Sequence, residues 1–288
     1  MPPTILVVGS LHYDIMVEAD HLPRRDETAV GTRWYPKFGG KGGNQAVAVA
    51  RAGACARMLG AVGDDGFGRF LLDRLTAAEV DTGLVATLPG AGSGMSVAIL
   101  DASGDYAATI VSGANRSIDT GALAQDAVWN GVALLVLQNE VPEAVNLAAA
   151  REARARRVPV LLNAAPARAL APGFAALVDV LVVNIVEAEM MGTGPVTSLD
   201  SAAAAARQLA RTYPSVVVTA GGLGLAAATG QETPFKLPAQ AVEVVSTHGA
   251  GDCFVGSLAF GLANGVPLAE ACGTAAHAAA LHVSAPSG

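Results

Sequence analysis

The chain has few of the features that mark secreted or metal-stabilised proteins. Only three of its 288 residues are cysteines, Cys55, Cys253 and Cys272, and no two of them are spaced as Cys-x-x-Cys. We therefore expect neither a disulfide framework nor a zinc site, and such cysteine usage is typical of a reducing cytoplasm. Residues 1–4 carry no basic segment and precede only a short apolar run, so we expect no secretory signal.

Charged residues are also scarce, and acidic ones outnumber basic ones. They form 15% of the chain and give a formal net charge of −7. Nucleic acids and anionic membrane surfaces are bound through basic patches, so neither is an expected partner. The segment from Cys253 to Gly288 is apolar apart from Glu270, but glycine, asparagine and proline interrupt it. It lacks the run of about 20 apolar residues that a membrane span needs, and we expect two core helices there.

What the chain does contain is a regular alternation of short apolar runs and helical patterns. Hydrophobic residues make up 52% of the sequence, while aromatic residues make up only 5%. The alternation indicates an α/β fold with a mainly parallel central sheet that helices cover on both faces. We expect a single domain over residues 1–288. The predicted strands include residues 4–8, 132–138, 179–184 and 215–219, and the predicted helices include residues 44–52, 67–79 and 142–157, the last with Pro142 as its first residue.

Two stretches depart from this alternation, at about residues 12–40 and 93–111. Both show strand-like patterns without long helices between them, and residues 96–111 predict a hairpin that turns at residues 101–105. Such strands can form a small separate sheet. A sheet of this kind suits a lid that closes over a site at the carboxyl ends of the main strands.

The most informative segment lies near the end of the chain, at residues 246–256. An apolar strand is predicted to run into Ser246, and a turn of small residues, Gly249, Ala250 and Gly251, opens a helix. Backbone N–H groups at such a helix start favour an anion. Asp252 would repel a phosphate there unless it removed a proton from a hydroxyl that attacks phosphorus. The alternative is that Asp252 only caps the helix.

A second segment, residues 38–46, places one lysine among four glycines before a helix. It is not a P-loop, because Lys41 is followed by Gly42 rather than by Ser or Thr. One interpretation is that Gly40 lets the backbone approach a polyhydroxylated ligand, to which Lys41 and Asn44 donate hydrogen bonds. The alternative is a flexible hinge with Asn44 as the helix cap. A hinge does not require Lys41, so we favour ligand binding.

Polar residues also follow other predicted strands. Asn184 and Glu187 suit water or metal near phosphate oxygens, although they equally fit a capping box. Residues 219–224 leave room for a nucleotide or form a plain turn. Asp14 and Glu140 can accept hydrogen bonds from sugar hydroxyls. In an open α/β sheet the carboxyl ends of the strands share one crevice, and this convergence favours a functional site.

Together these segments resemble the ribokinase-like, PfkB-type family of carbohydrate kinases. The resemblance is carried by residues 39–46, by Asn184 with Glu187, by residues 219–224 and by residues 249–252, and it extends from about residue 7 to residue 284. It implies a Rossmann-like three-layer α/β sandwich with a small β-sheet lid, which in this family often forms a homodimer. It also implies ATP-dependent phosphorylation of a hydroxyl, usually a primary one, of a small sugar such as a pentose.

The resemblance assigns a role to each candidate residue. Asp252 would be the general base, beside an anion hole formed by the amides of Gly249, Ala250 and Gly251. The residues implied to hold the sugar are His12, Asp14, Gly40, Lys41, Asn44 and Glu140. The residues implied to bind the nucleotide are Asn184, Glu187, Thr219, Gly221 and Gly224. Glu187 would also hold Mg²⁺ through a water molecule.

Two departures from the family pattern leave details open. His12 stands where ribokinases have an asparagine, and imidazole offers fewer hydrogen bonds than an amide, so ribose itself is not assured. Ser246 stands where the family has an aspartate that helps to bind K⁺, so activation by a monovalent cation stays open.

Three other functions are alternatives to a sugar kinase. A nucleoside kinase of the same family could stack a base on Trp34, Tyr35 or Phe38, although we favour these as core residues of the lid. A non-catalytic sugar-binding protein would not need Asp252. An NAD-dependent oxidoreductase is disfavoured because the first predicted strand is not followed by Gly-x-Gly-x-x-Gly.

Overall fold

The computed structural model describes residues 2–103 and 106–285, and of Tyr106 only the backbone. The strands in these residues are β1 (Thr4–Val8), β2 (His12–Ala19), β3 (Gly31–Gly39), β4 (Cys55–Gly63), β5 (Asp81–Leu88), β6 (Met95–Leu100), β7 (Tyr106–Val111), β8 (Val132–Gln138), β9 (Val160–Asn163), β10 (Val180–Asn184), β11 (Ser215–Thr219), β12 (Gly224–Thr229) and β13 (Phe235–Pro238). The α-helices there are α1 (Lys41–Arg51), α2 (Gly66–Ala77), α3 (Asp126–Trp129), α4 (Glu143–Ala155), α5 (Pro172–Ala175), α6 (Ile185–Met190), α7 (Leu199–Leu209), α8 (Ala250–Ala263) and α9 (Leu268–Ser284).

The central sheet has the strand order β13-β12-β11-β10-β9-β8-β1-β4-β5 in the described part of the chain. Its pairs from β11 to β5 are parallel, and β12 and β13 continue the sheet in antiparallel pairing. Helices cover both faces, so alternate residues of one strand enter different cores. In β1, Leu6 and Val8 join one core, and Ile5 and Val7 join the other. The predicted α/β fold with a mainly parallel sheet is confirmed.

The smaller sheet, which we call the lid, has the order β3-β2-β6-β7. Strand β2 pairs antiparallel with β3 and parallel with β6, and β6 pairs antiparallel with β7. The predicted hairpin corresponds to β6 and β7, and residues 104–105 of its turn lie outside the described residues. Phe38 is partly buried against a core on one face of the central sheet, whereas Trp34 is 63% exposed, so the assignment of Trp34 to the lid core is wrong.

The lid continues directly into helix α1. Strand β3 ends at Gly39, Gly40 adopts φ +86, and Lys41 is the first helical residue. A side chain at Gly40 would meet the backbone of residues 10–12 at 2.8 Å, so glycine allows this close approach. The helix therefore begins three residues before the predicted start at Asn44, and Asn44 lies inside its first turn rather than at its cap.

Two other local predictions were wrong. Pro142 is the N-cap of α4 rather than its first residue. The strand predicted before Ser246 is absent from residues 239–249, where the chain is irregular and Val244 and Val245 are more than half exposed. The amides of Val245 and Ser246 donate instead to the carbonyl of Val283 at the end of α9. Within the described residues no helix combines the length and apolar character needed to cross a membrane.

Candidate active site

Asp252 lies in the first turn of α8 and points into a polar cluster. The N-cap of this helix is Gly249, in the left-handed conformation with φ +76, so Asp252 is the third helical residue and does not occupy the cap. Only 8% of Asp252 is exposed. Its Oδ1 accepts a hydrogen bond from Gln45 Nε2 at 2.9 Å, and its Oδ2 accepts one from Asn44 Nδ2 at 3.2 Å.

The environment of Asp252 suits a proton acceptor. Burial raises the pKa of this carboxyl, while the charge of Lys41 and the two amide donors act in the opposite direction. A carboxylate with a raised pKa is a stronger base than one in water. Asp252 therefore has the chemistry needed to take a proton from a hydroxyl placed beside it.

The N-terminus of α8 offers its backbone to the same region. A side chain added at Gly251 would find no atom within 4 Å, so this stretch of backbone is open. The amide of Ala250 donates to the carbonyl of Thr247 at 3.3 Å and is thus partly engaged in a turn. His282 holds this turn through a hydrogen bond of 2.9 Å between its Nε2 and the carbonyl of His248. First-turn amides and the helix dipole favour an anion here.

A cleft of about 260 Å³ runs from Asp252 to the ends of β9, β10 and β11. It brings together residues that are far apart in the sequence. Its lining consists of Lys41, Asn163, Ala165, Val182, Asn184, Glu187, Thr219, Thr247, Gly249, Gly251, Asp252, Phe254 and Val255. Seven predicted site residues are among them, whereas Gly221 and Gly224 lie outside this lining.

Asn184 and Glu187 form the reciprocal capping box that the sequence allowed. Asn184 Oδ1 accepts from the amide of Glu187, and Glu187 Oε2 accepts from the amide of Asn184, each at 2.8 Å. Burial raises the pKa of Glu187, and the charge of Lys41 partly offsets this. The cap does not use Glu187 Oε1. Capping and ligand binding are therefore compatible, because the pair caps α6 while Glu187 lines the cleft.

Backbone conformation and close packing explain why glycine occupies two positions after β11. Gly221 and Gly224 both adopt positive φ, +53 and +113. A side chain at Gly224 would lie 2.1 Å from the carbonyl oxygen of Leu237, so the close pairing of β12 with β13 requires glycine there. Thr219 remains at the cleft, where its Oγ1 donates to the carbonyl of Val183 at 3.4 Å.

The lid contributes Asp14, which lies on β2. Asp14 Oδ1 accepts a hydrogen bond of 2.5 Å from Ser96 on the neighbouring strand. A side chain at Gly39 would overlap the Asp14 carboxylate, at 1.9 Å from Oδ2, so Gly39 makes room for it. Burial raises the pKa of Asp14, and the Ser96 hydrogen bond opposes that rise.

Glu140 joins the lid side to helix α1. Its Oε2 accepts from the hydroxyl of Ser10 at 2.5 Å and from the amide of Lys41 at 2.8 Å. His12 Nδ1 lies 3.8 Å from the same oxygen, and His12 Nε2 is buried without a hydrogen-bond partner in the described part of the chain. Glu140 thus connects Ser10, His12 and Lys41, and Asn44 connects α1 to Asp252.

Comparisons with known proteins identify the family of this chain. A family model described as pfkB family carbohydrate kinase matches residues 3–288. Mouse ribokinase is 36% identical over 263 residues, which cover 90% of this chain and 81% of the relative. Ribokinase from Bacillus subtilis is 35% identical over 282 residues, covering 97% of this chain and 92% of the relative. The chain belongs to the pfkB family of carbohydrate kinases.

A solved structure extends this to the whole fold. Arabidopsis thaliana ribokinase complexed with ribose and ATP matches with a TM-score of 0.92 at 27% identity, covering 100% of this chain and 94% of that one. The predicted resemblance to this family is confirmed, and the pfkB-family protein described here is an ATP-dependent sugar kinase.

Four polar residues of this pfkB-family site were missed by the sequence prediction: Ser10, Gln45, Ser96 and Asn163. Ser10 bonds Glu140, Ser96 bonds Asp14, and Gln45 bonds Asp252, and these three partners are predicted residues. Asn163 bonds Gln45 and lines the cleft. Gln45 was visible in the glycine-rich segment, directly after Asn44. Nothing in the sequence showed that its side chain points into the protein rather than into solvent.

Proposed function

We propose that this kinase transfers the terminal phosphoryl group of ATP to a hydroxyl of a pentose such as ribose. The observation that carries the proposal is Asp252, buried at an open helix N-terminus and joined by Asn44 to the residues proposed to hold the sugar. In this arrangement the Asp252 carboxylate, the sugar hydroxyl that receives the phosphoryl group and the anion site at the start of α8 are adjacent. In-line transfer requires that adjacency.

Each group has a proposed role. Asp252 takes the proton of the attacking hydroxyl, and the amides of Gly249, Ala250 and Gly251 stabilise the transferring phosphoryl group. The proposed sugar-binding residues are His12, Asp14, Gly40, Lys41, Asn44 and Glu140. The proposed nucleotide-binding residues are Asn184, Glu187, Thr219, Gly221 and Gly224. Lys41 lies between the two groups, since its amide bonds Glu140 and its side chain lines the cleft with Glu187.

Mg²⁺ fits this site through Glu187. In the described residues no group of three or more His, Cys, Asp or Glu could hold a metal by itself. Mg²⁺ needs no such group, because with nucleotides it keeps several waters and takes one or two carboxylates plus phosphate oxygens. Glu187, with one carboxylate oxygen left by the cap, would hold it through water. The ion would supply positive charge to the phosphate oxygens.

The site for K⁺ fits less well. Ser246 contributes a neutral hydroxyl where the family resemblance implies a carboxylate, and that hydroxyl already accepts from the amide of His248 at 3.3 Å.

We also propose a cytoplasmic location, which the free thiols of Cys55, Cys253 and Cys272 support.

The test of the function is a substrate panel. Purified protein with ATP and Mg²⁺ is offered ribose, other pentoses, ketohexoses, adenosine and pseudouridine, and ADP release is followed by a coupled assay. We expect turnover with a pentose. Turnover restricted to nucleosides would replace this proposal by a nucleoside kinase. Sugar-induced thermal stabilisation without any ADP release would replace it by a sugar-binding protein.

Changing His12 to asparagine is expected to improve the use of ribose. An amide offers both donors and acceptors towards the ligand, whereas His12 Nε2 has no partner here. One additional hydrogen bond would lower KM for ribose by roughly three- to tenfold. Steady-state kinetics of His12→Asn measure this, with His21→Asn as the control, because His21 is exposed and paired with Glu27. An unchanged KM would separate His12 from sugar recognition, and a higher KM would show that the imidazole binds the sugar better than an amide does.

We further propose that the protein is a homodimer formed through the lid. Val30, Trp34 and Ile110 are 84%, 63% and 59% exposed on lid segments. Where such side chains form one patch, the exposed apolar surface marks an association site. Trp34→Ser is expected to give a monomer in sedimentation or light-scattering measurements. The control is Leu281→Ser, which removes an equally exposed apolar side chain from α9. A dimer that survives Trp34→Ser would place the interface elsewhere.

A further inference from the structure

Gln45 is a fully buried side chain that contacts the catalytic carboxylate without facing the substrate. It lies on α1, its exposed fraction is 0%, and it is absent from the cleft lining. Its Nε2 is 2.9 Å from Asp252 Oδ1 and 3.0 Å from Asn163 Oδ1. An amide nitrogen carries two hydrogens, so each of these acceptors receives one.

The neighbours of Gln45 determine which end of its amide faces Asp252. Asn163 Nδ2 donates to the carbonyl of Val182 at 3.3 Å, and a carbonyl can only accept. Asn163 must therefore present its oxygen to Gln45. That oxygen also only accepts, so Gln45 must present its nitrogen, which reaches Asp252. A main-chain carbonyl of β10 thus orients two amides in sequence and places a donor on the carboxylate.

We propose that Gln45, itself oriented by Asn163, is the positioning residue that fixes the Asp252 carboxylate for its reaction with the sugar hydroxyl. This inference rests on the proposed function. Gln45 Oε1 is buried without a hydrogen-bond partner in the described residues, which costs free energy. An apolar side chain of the same size would avoid that cost. The amide therefore has a use other than filling space, and its only contact with a reacting group is the one to Asp252.

The two amides that donate hydrogen bonds to Asp252 differ in their exposure to the ligand. Asn44 is partly exposed and belongs to the proposed sugar-binding group, so a bound sugar can compete for its amide. Gln45 is shielded from the ligand and keeps its hydrogen bond throughout. It therefore holds one carboxylate oxygen in place and leaves the other directed towards the cleft.

Gln45 also acts on the ionisation of Asp252. Burial raises the pKa of this carboxyl, and Glu140 raises it too, whereas Lys41, Gln45 and Asn44 lower it. Glu187 faces the same region, and its own pKa is raised in part by the charge of Asp252. Without the Gln45 donor, fewer groups would oppose the rise in the Asp252 pKa that burial and the neighbouring carboxylates cause. Asp252 would then bind its proton up to a higher pH and act as a base in a smaller fraction of molecules.

The decisive experiment measures the Asp252 pKa in the full-length protein without relying on turnover. Carboxyl carbons of aspartates are labelled with ¹³C and titrated by NMR, and Asp252→Asn assigns the signal. Gln45→Met keeps the side-chain volume and removes the donor. We expect it to raise the Asp252 pKa by about one pH unit. Gln45→Glu, which places a second carboxyl beside the first, is expected to raise it further.

Kinetic measurements form the second part of the test of the Gln45 proposal. For Gln45→Met we expect kcat at neutral pH to fall about tenfold and to recover partly at alkaline pH, while KM for ATP stays unchanged. The matched control is Gln138→Met, because Gln138 is also fully buried and neither of its amide atoms has a partner in the described residues. This control should leave the pKa and the pH profile unchanged.

The outcomes separate the proposals. An Asp252 pKa that does not move in Gln45→Met or in Gln45→Glu, with kcat lowered equally at every pH, overturns the positioning role and leaves only packing. If Gln45→Met does not fold, the titration of Gln45→Glu decides alone. If the wild-type protein phosphorylates no sugar, the proposed function fails, and the NMR titration still decides whether Gln45 controls Asp252.

Discussion

Replacing Asp252 by asparagine is expected to lower kcat by a factor of about 10² to 10⁴ while the fold remains intact. Asparagine keeps the size and planarity of the side chain, so it can still accept from Gln45. It cannot accept a proton from the attacking hydroxyl at neutral pH. KM for ATP should change little, because the amides at the start of α8 are untouched.

Coupled ADP detection and thermal unfolding measure the two parts of this prediction. The melting temperature should be unchanged or higher, since burial disfavours the ionised carboxylate that the variant removes. Asp200→Asn is the control, because Asp200 is exposed at the start of α7 and pairs only with surface Lys236. Turnover of Asp252→Asn near the wild-type rate would show that another group accepts the proton.

Replacing Gly256 by alanine is expected to destabilise the protein by about 1–3 kcal/mol and to lower kcat as well. The added methyl group would lie 2.4 Å from Ala48 Cβ and 2.8 Å from the backbone of Ala48 and Val49. Helices α1 and α8 would have to move apart. Because Asn44 and Gln45 on α1 bond Asp252 on α8, the same separation would disturb the carboxylate.

The control for this prediction is another helical glycine, Gly273 in α9. A side chain there meets no atom within 4 Å, so Gly273→Ala is expected to be neutral or to stabilise the protein by up to about 1 kcal/mol. Denaturant unfolding measures the free energies, and kcat is measured at a temperature where both variants are folded. Equal stability of the two variants would mean that the α1–α8 contact adjusts without cost.

The fold class, several strands of the central sheet and candidate polar residues at the strand ends could be predicted from the sequence, because all of them depend on local signals. Continuous β-branched runs marked the buried parallel strands, and small residues before Asp252 marked an open helix N-terminus. Strands β4, β5, β12 and β13 were not predicted. Strand β12 is rich in alanine, which shows no preference for a strand, although its central residues are buried.

Errors arose where tertiary contacts override local preference. The valines before Ser246 have high strand propensity, but their segment bonds the end of α9 and is exposed, so no strand forms. Trp34 is apolar yet lies on the outside of the lid. Gln45 is 118 residues from Asn163 and 207 residues from Asp252 in the chain, and the packing of α1 against α8 brings Gln45 to Asp252.

The junction at Gly40 has a consequence for catalysis. Strand β3 of the lid ends at Gly39, and α1 begins at Lys41 with a single residue between them; the two amides that bond Asp252 lie in the first turns of α1. Because only Gly40 separates these two elements, we expect a displacement of β3 to shift the amides that bond Asp252. We therefore expect a deoxy sugar that lacks the hydroxyl proposed to bind Asp14 to react slowly even at saturating concentration, because its binding would not bring β3 and α1 into place.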